Sequence, residues 1–323
     1  MRVVIAGAGA IGGYLGARLA RSGADVVLHA RGPHLDAMER RGLRVISAEG
    51  DFEVRPVIAR DLAAIGRADV VVLGVKAHGL TALAPTLHPL LGPETVVVST
   101  QNGIPWWYFQ RHGGEWDGLR LERVDPGGVV AGAIEPHRIV GSLAYFATDL
   151  VEPGVIRHTE GNRISLGEPD GTRSERARRI AETLIAAGFR CPVTTRFRHE
   201  IWVKLLGNVA FNPISALTGG TLEEIVRHPD ASRLVREVME ETEAVAARLG
   251  IEMPISADQR MAGAAKVGAH KTSMLQDLEA GRPMEIEAVV GAVVELGDRV
   301  GVAMPATRAV YACVKLLDER RRG

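Results

Sequence analysis

The strongest constraint on this 323-residue chain lies at its start. A short apolar run, Val3-Val4-Ile5, leads straight into Gly7-Ala8-Gly9-Ala10-Ile11-Gly12, and a helical pattern then runs to a stop at Ser22-Gly23. Glycine at 7 allows a tight turn, glycine at 9 lets a ligand approach the main chain, and glycine at 12 permits close packing of helix on strand. The first N–H groups of such a helix have no partner within it and carry partial positive charge, which suits a pyrophosphate. Gly7, Ala8, Gly9, Ala10, Ile11 and Gly12 therefore form a candidate cofactor cradle of the Rossmann-like, dinucleotide-binding kind. The segment 3–17 is uncharged, as the core of an export signal is, but its glycines and strand-like start argue against that reading.

The first half alternates Val/Ile/Leu runs with helical stretches, the pattern of a parallel sheet with crossover helices. Strands are expected near residues 2–6, 25–29, 69–75 and 95–100, with a hairpin over 43–58 turned at Glu49-Gly50-Asp51 and further short strands over 141–167. After residue 196 the strand signals stop and helical patterns continue to the end. The expected organisation is an α/β protein: an N-terminal Rossmann-like dinucleotide-binding domain, 1–195, followed by an all-helical C-terminal domain, 196–323. A chain this long exceeds the size at which single cores usually stop growing. The terminal run Asp318-Glu319-Arg320-Arg321-Arg322 reads as a solvated helix end.

Composition narrows the partners. Thirty-nine basic residues balance 39 acidic ones, so no polyanion or nucleic acid is implied, and no apolar stretch suggests a membrane partner. Cys191 and Cys313 fit neither a disulfide framework nor a metal-ligand spacing, which points to a reducing, cytoplasmic compartment and no metal. The expected partner is a small molecule.

An NAD-binding chain usually carries an acid at the end of its second strand. Here the sequence is His29-Ala30-Arg31. Arg31 is instead placed to grip a 2′-phosphate, and one charge-assisted contact of roughly 1.5–3 kcal/mol favours NADPH over NADH about 10- to 150-fold. Lys76, after the run 70–75, and Asn102, in Gln101-Asn102-Gly103, stand at carboxyl ends of expected parallel strands, the edge where open α/β sheets bind ligands.

The candidate chemistry lies in the segment 201–215, which is apolar except at Lys204, Asn208, Asn212 and Ser215. At 100° per residue these four fall within an arc of roughly 80°, too narrow for an ordinary solvated face. Two asparagines one turn apart call for a hydrogen-bonding partner, and a polar substrate would serve. Pro213 is expected to kink or end the helix. Further on, Ser273 with Gln276 fits a capping box, and Glu285 with Glu287 after Pro283 fits the acidic first turn of a helix.

Taken in order, the Gly7 to Gly12 loop, Arg31, Gly74-Val75-Lys76, Gln101-Asn102-Gly103, Lys204 with Asn208 and Asn212-Pro213, and Ser273 followed by Glu285 resemble the ketopantoate reductase (2-dehydropantoate 2-reductase) family over nearly the full chain. The resemblance implies NADPH-dependent reduction of ketopantoate to pantoate on the route to pantothenate. It implies Lys204 as proton donor, Asn208 and Asn212 as ligands of substrate oxygens, Ser273 against the substrate carboxylate, and Glu285 beside Lys204 and the nicotinamide ribose. A homodimer is expected on the same ground. One departure is the stretch from Ile104 to about Val140, which holds Trp106, Trp107 and Trp116 and suggests a bulkier pocket, a lid or plain packing against the second domain. Another is Thr218-Gly219-Gly220-Thr221, which has no asparagine where some relatives supply one. Two alternatives stay open: a reductase of a different, bulkier 2-keto acid, and a non-catalytic dinucleotide sensor. The set Lys204, Asn208, Asn212 and Glu285 argues against the sensor.

Overall fold

A computed structural model describes residues 1–322, and the side chain of Arg322 lies outside the described residues. The chain divides into two compact units. The first comprises Met1–Gln101, Trp106–Arg120 and Gly127–Phe197; the second comprises Asn102–Pro105, Leu121–Pro126 and the chain from Arg198 onward.

The first unit is built on one sheet of β1 (Val3–Ala6), β2 (Val26–His29), β3 (Leu43–Ser47), β4 (Phe52–Val54), β5 (Val57–Ala59), β6 (Ala68–Leu73), β7 (Leu91–Ser99), β8 (Ile139–Glu152) and β9 (Val155–Gly167). Their order is β4-β3-β9-β8-β7-β6-β1-β2-β5. The central strands are parallel, and their near-continuous Val/Ile/Leu runs follow from burial of both faces. Helices α1 (Ala10–Arg21), α2 (Gly32–Arg41), the short α3 (Leu80–Leu83) and α4 (Val129–Ala133), and α5 (Glu175–Ala186) complete this unit. Register brings Ala6, His29, Leu73 and Ser99 level with one another at the carboxyl edge of the sheet. The loops after β1, β2, β6 and β7, which carry the cofactor candidates, therefore start from one line.

The hairpin expected over 43–58 is shorter: β3 and β4 pair antiparallel about the 49–51 turn and end at Val54, while Val57–Ala59 is the separate strand β5, parallel to β2 at the other end of the strand order. Residues 139–167 differ from the expectation of several short strands. They make two long antiparallel strands, β8 and β9, with register shifts along the pair. Bulges of this kind let a long hairpin bend with the sheet, so turn residues inside the run do not end it.

The three tryptophans of the 104–140 stretch lie in this unit. Trp106 and Trp107 are buried, while Trp116 keeps partial exposure. Gly141 and Gly167 pair directly across β8 and β9. A Cβ at Gly141 would lie 2.4 Å from the Phe197 ring and 2.6 Å from Trp107, and one at Gly167 would lie 2.5 Å from Phe197. The glycine pair thus leaves a slot for Phe197, with Trp107 stacked beside it at 6.0 Å.

The second unit is helical: α6 (Phe197–Thr218, its first residue in the first unit), α7 (Leu222–Arg227), α8 (Pro229–Arg248), α9 (Ala257–Val267), α10 (Ser273–Glu279), α11 (Ala292–Val300) and α12 (Pro305–Arg322). Pro213 does not end α6, which continues to Thr218. Buried Ile201, Trp202, Leu205, Leu206, Val209, Phe211 and Ile214 wrap most of that helix in apolar neighbours, and such burial outweighs the backbone bond that proline removes. One π turn, Glu287–Gly291, precedes α11. At the far end Asp318 is buried, not solvated, and its carboxylate accepts the Met284 N–H at 3.3 Å. No helix among the described residues is long and apolar enough to cross a membrane.

Candidate active site

The glycine loop is defined by backbone contact. Gly7 has φ +105°, and a Cβ there would lie 2.4 Å from Val75 Cγ1 and 2.9 Å from the Val75 nitrogen. Gly12 and Gly74 both press on the Gly7 carbonyl, each leaving room for a Cβ only at 2.3 Å from it. Three glycines from β1, α1 and the end of β6 therefore interlock, which gives Gly74 a structural reason of its own. Gly9, the N-cap of α1, is different: no heavy atom lies within 4 Å of where its Cβ would be. No side chain caps α1, and its first turn carries no acid. That open, uncapped helix start fits a pyrophosphate, with Gly9, Ala10, Ile11 and Gly12 supplying N–H groups. The amides of Gly7 and Ala8 are instead committed to the His29 carbonyl at 3.1 and 2.7 Å, so these two residues contribute shape.

Arg31 is the exposed N-cap of α2, two residues beyond the end of β2. No acid stands between His29 and Gly32. These residues fit the 2′-phosphate of NADPH better than a free ribose diol. Lys76 lies just past β6 at the start of a short 3₁₀ turn and is partly exposed. In the loop after β7 the buried Gln101 side chain donates to the carbonyls of Leu73 and Val75, both at 2.8 Å, and fixes where the chain leaves the sheet.

Asn102 begins the first stretch of the second unit, and there the site groups meet. Lys204 Nζ donates to Asn102 Oδ1 at 2.8 Å, and Asn102 Nδ2 donates to Glu285 Oε2 at 3.3 Å. The amide of Asn102 bridges ammonium and carboxylate, each end facing the group it can satisfy. Lys204 comes from the first half of α6, and Glu285 from the residue before the helical Ile286. Burial pushes Lys204 down from its ordinary range to about 8, while the Glu285 charge pulls the other way. A lysine held there still carries its proton at neutral pH and releases it more readily than an exposed one.

The backbone beside Asn102 is pinned. Gly103 has φ +84°, and a Cβ on it would lie 2.1 Å from the Ala288 carbonyl oxygen. Ile104 N–H donates to that same oxygen at 2.9 Å. Ala288 belongs to the π turn, a local irregularity of the kind found where a helix serves a site. Nothing in the sequence pattern marked it.

Asn208 and Asn212 follow Lys204 by one and two turns on the same side of α6, the first partly exposed and the second buried. Ser215 is buried as well, but its hydroxyl donates to the Gly220 carbonyl at 2.6 Å and closes the end of the helix. Ser273 is the exposed first residue of α10. It is not the helix cap: Thr272 is, accepting the Leu275 N–H, and Gln276 donates instead to the Lys271 carbonyl. Glu287 turns from the site to an ion cluster with Arg123, Tyr311 and Lys315.

Residues 3–106 match the family described as ketopantoate reductase PanE/ApbA, and residues 196–318 match its C-terminal domain. A 2-dehydropantoate 2-reductase of Mesorhizobium japonicum is 51% identical over 323 residues, 99% of each chain. The chain belongs to the ketopantoate reductase family. Its fold agrees throughout: a crystal structure of a candidate ketopantoate reductase from Ralstonia solanacearum superposes with a TM-score of 0.95 at 40% identity, covering 99% of this chain and 98% of the other. The 2-dehydropantoate 2-reductase of Geobacter metallireducens gives 0.85 at 30% identity, covering 98% and 100%. In this ketopantoate reductase fold the six-residue glycine loop lies in the first unit, and the hydrogen-bonded set Asn102, Lys204 and Glu285 lies in the second.

Proposed function

We propose that this chain catalyses the NADPH-dependent reduction of 2-dehydropantoate to (R)-pantoate in pantothenate biosynthesis, with residues 1–195 as the NADP-binding domain and 196–323 as the catalytic domain. The observation that carries the reading is the Lys204–Asn102–Glu285 relay in a member of this family. When bound, the nicotinamide supplies a hydride to the 2-keto carbon. Lys204 gives its Nζ proton to the carbonyl oxygen as negative charge develops there, so that the C=O becomes CH–OH. Asn102 Oδ1 holds that ammonium in place, and Glu285 keeps it protonated.

Asn208 and Asn212 orient the substrate oxygens, and Ser273 takes the substrate carboxylate. On the cofactor side Gly7, Ala8, Gly9, Ala10, Ile11 and Gly12 shape and line the pyrophosphate cradle. Arg31 takes the 2′-phosphate, and Lys76, Asn102 and Glu285 complete the contacts. The buried placement of Trp106 and Trp107 supports the ketopantoate reading over one with a bulkier substrate, because packing against Gly141 and Phe197 accounts for Trp107 without a pocket wall. A cytoplasmic homodimer is the expected state, to be checked by light scattering of the purified chain.

The test is NADPH oxidation followed by absorbance, with ketopantoate beside smaller and bulkier 2-keto acids at equal concentration. The expected result is the highest kcat/KM with ketopantoate. Preference for another keto acid moves the enzyme out of pantothenate synthesis, and NADPH binding without turnover of any keto acid leaves a sensor.

A further inference from the structure

His34 has no part in the chemistry above, yet it is buried in α2 with both ring nitrogens engaged. Gly154 N–H donates to its Nδ1 at 2.9 Å, and its Nε2 meets the Ala8 carbonyl at 2.8 Å. A backbone N–H can only donate, so Nδ1 is the bare acceptor and the ring proton sits on Nε2, which donates to Ala8. Burial keeps the imidazole below its usual range, in agreement with a neutral ring.

Ala8 is the second residue of the cofactor loop. Its own N–H is held by the His29 carbonyl at 2.7 Å, so His34 clamps the other end of the same residue. The consequence reaches the ligand side through peptide geometry. In a planar trans peptide the carbonyl and the following N–H point in opposite directions. With the Ala8 carbonyl turned to His34, the Gly9 N–H is turned away from it, at the residue whose surroundings are open. The support behind His34 is firm as well: Gly154, in the turn between β8 and β9, accepts the Arg44 N–H at 2.9 Å.

We infer that His34 is a positioning residue for the dinucleotide pyrophosphate: its Nε2–H bond to Ala8 sets the plane of the Ala8–Gly9 peptide and aims the Gly9 N–H at the phosphate. The inference rests on the proposed cofactor role of this loop. It predicts that side chains separate by reach. Glutamine at 34 carries an amide N–H about as far as Nε2 and keeps the Ala8 bond, whereas asparagine ends near the position of Nδ1 and keeps only the Gly154 bond.

The experiment is direct titration of NADPH fluorescence on wild type, H34Q, H34N and H34F without keto acid, with thermal unfolding of each apo protein alongside. The expected dissociation constants are close to wild type for H34Q and raised about tenfold for H34N and H34F, the scale of one lost orienting hydrogen bond. In turnover the NADPH KM of H34N rises by the same factor, while kcat at saturating NADPH and the keto-acid KM stay within about twofold. H34N binding NADPH as wild type does, or H34Q and H34N losing affinity in parallel with their unfolding temperatures, overturns the positioning role. Wild type failing to bind NADPH at all would instead remove the cofactor reading, and with it this one.

Discussion

Replacing Glu285 by glutamine should move the alkaline limit of the reaction in a calculable direction. As the proposed proton donor Lys204 would work in its charged form, so the rate is expected to fall as pH rises through its pKa, which burial has brought to about 8. Glu285 opposes that displacement, and glutamine keeps its shape without its charge. Through the Asn102 amide the ammonium and the carboxylate lie 2.8 and 3.3 Å from the two ends of one bridging group. That puts the two charges at most roughly 8 Å apart, and at an effective dielectric near 20 such a pair is worth about 2 kcal/mol, or about 1.5 pH units. Lys204 in E285Q should therefore lose its proton at lower pH than in wild type, the ammonium having lost its favourable neighbour. The assay is kcat against pH at saturating NADPH and keto acid for both proteins. Wild type should decline above about pH 8 with unit slope, and E285Q should begin its decline more than one pH unit lower. An alkaline limb that stays in place in E285Q, or moves upward, would refute the assignment of that limb to Lys204.

K204A should lower kcat by about 10²- to 10⁴-fold, the usual worth of a positioned acid, and leave the NADPH dissociation constant nearly unchanged; normal turnover would exclude Lys204 as donor. R31A should weaken NADPH about 10- to 150-fold and NADH hardly at all, measured by fluorescence titration, whereas equal losses for both would place Arg31 away from the 2′-phosphate. W107A should cost about 3–5 kcal/mol of stability in a denaturant titration, with the keto-acid KM unaltered, because Trp107 is a core residue of the first unit. A changed KM with little loss of stability would return that segment to the pocket.

Much of this was readable in the residues because the constraints were local. The β1–loop–α1 unit is specified within about twenty positions, by a strand pattern, three glycines and a helix pattern. The narrow stripe on α6 was equally plain, since one helix carries all of it. What stayed hidden depends on distant chain. His34 looks like any residue in the first turn of α2, and only the fold brings Gly154, 120 positions away, to its Nδ1. Asn102 reads as the end of a sheet loop, yet it joins the second unit through Lys204 and Glu285. The π turn at 287–291 has no composition of its own, and its Ala288 carbonyl gains meaning from the Gly103-Ile104 backbone laid on it. The Ser273–Gln276 spacing fits a capping box, yet the cap is Thr272, and a shift of one residue lies within what such spacing resolves. Pro213 alone predicts a kink or an end to the helix, and only the apolar surroundings supplied by distant chain let α6 run on to Thr218.

The most direct measurement follows the transferred atom. The purified chain is incubated with ketopantoate and NADPH deuterated at the transferring position of its nicotinamide ring, and the product is analysed by mass spectrometry and NMR. The account predicts pantoate carrying deuterium at C2, formed in step with NADPH consumed by wild type and nearly absent with K204A. Pantoate without deuterium at C2, or NADPH bound with no pantoate formed, would contradict it.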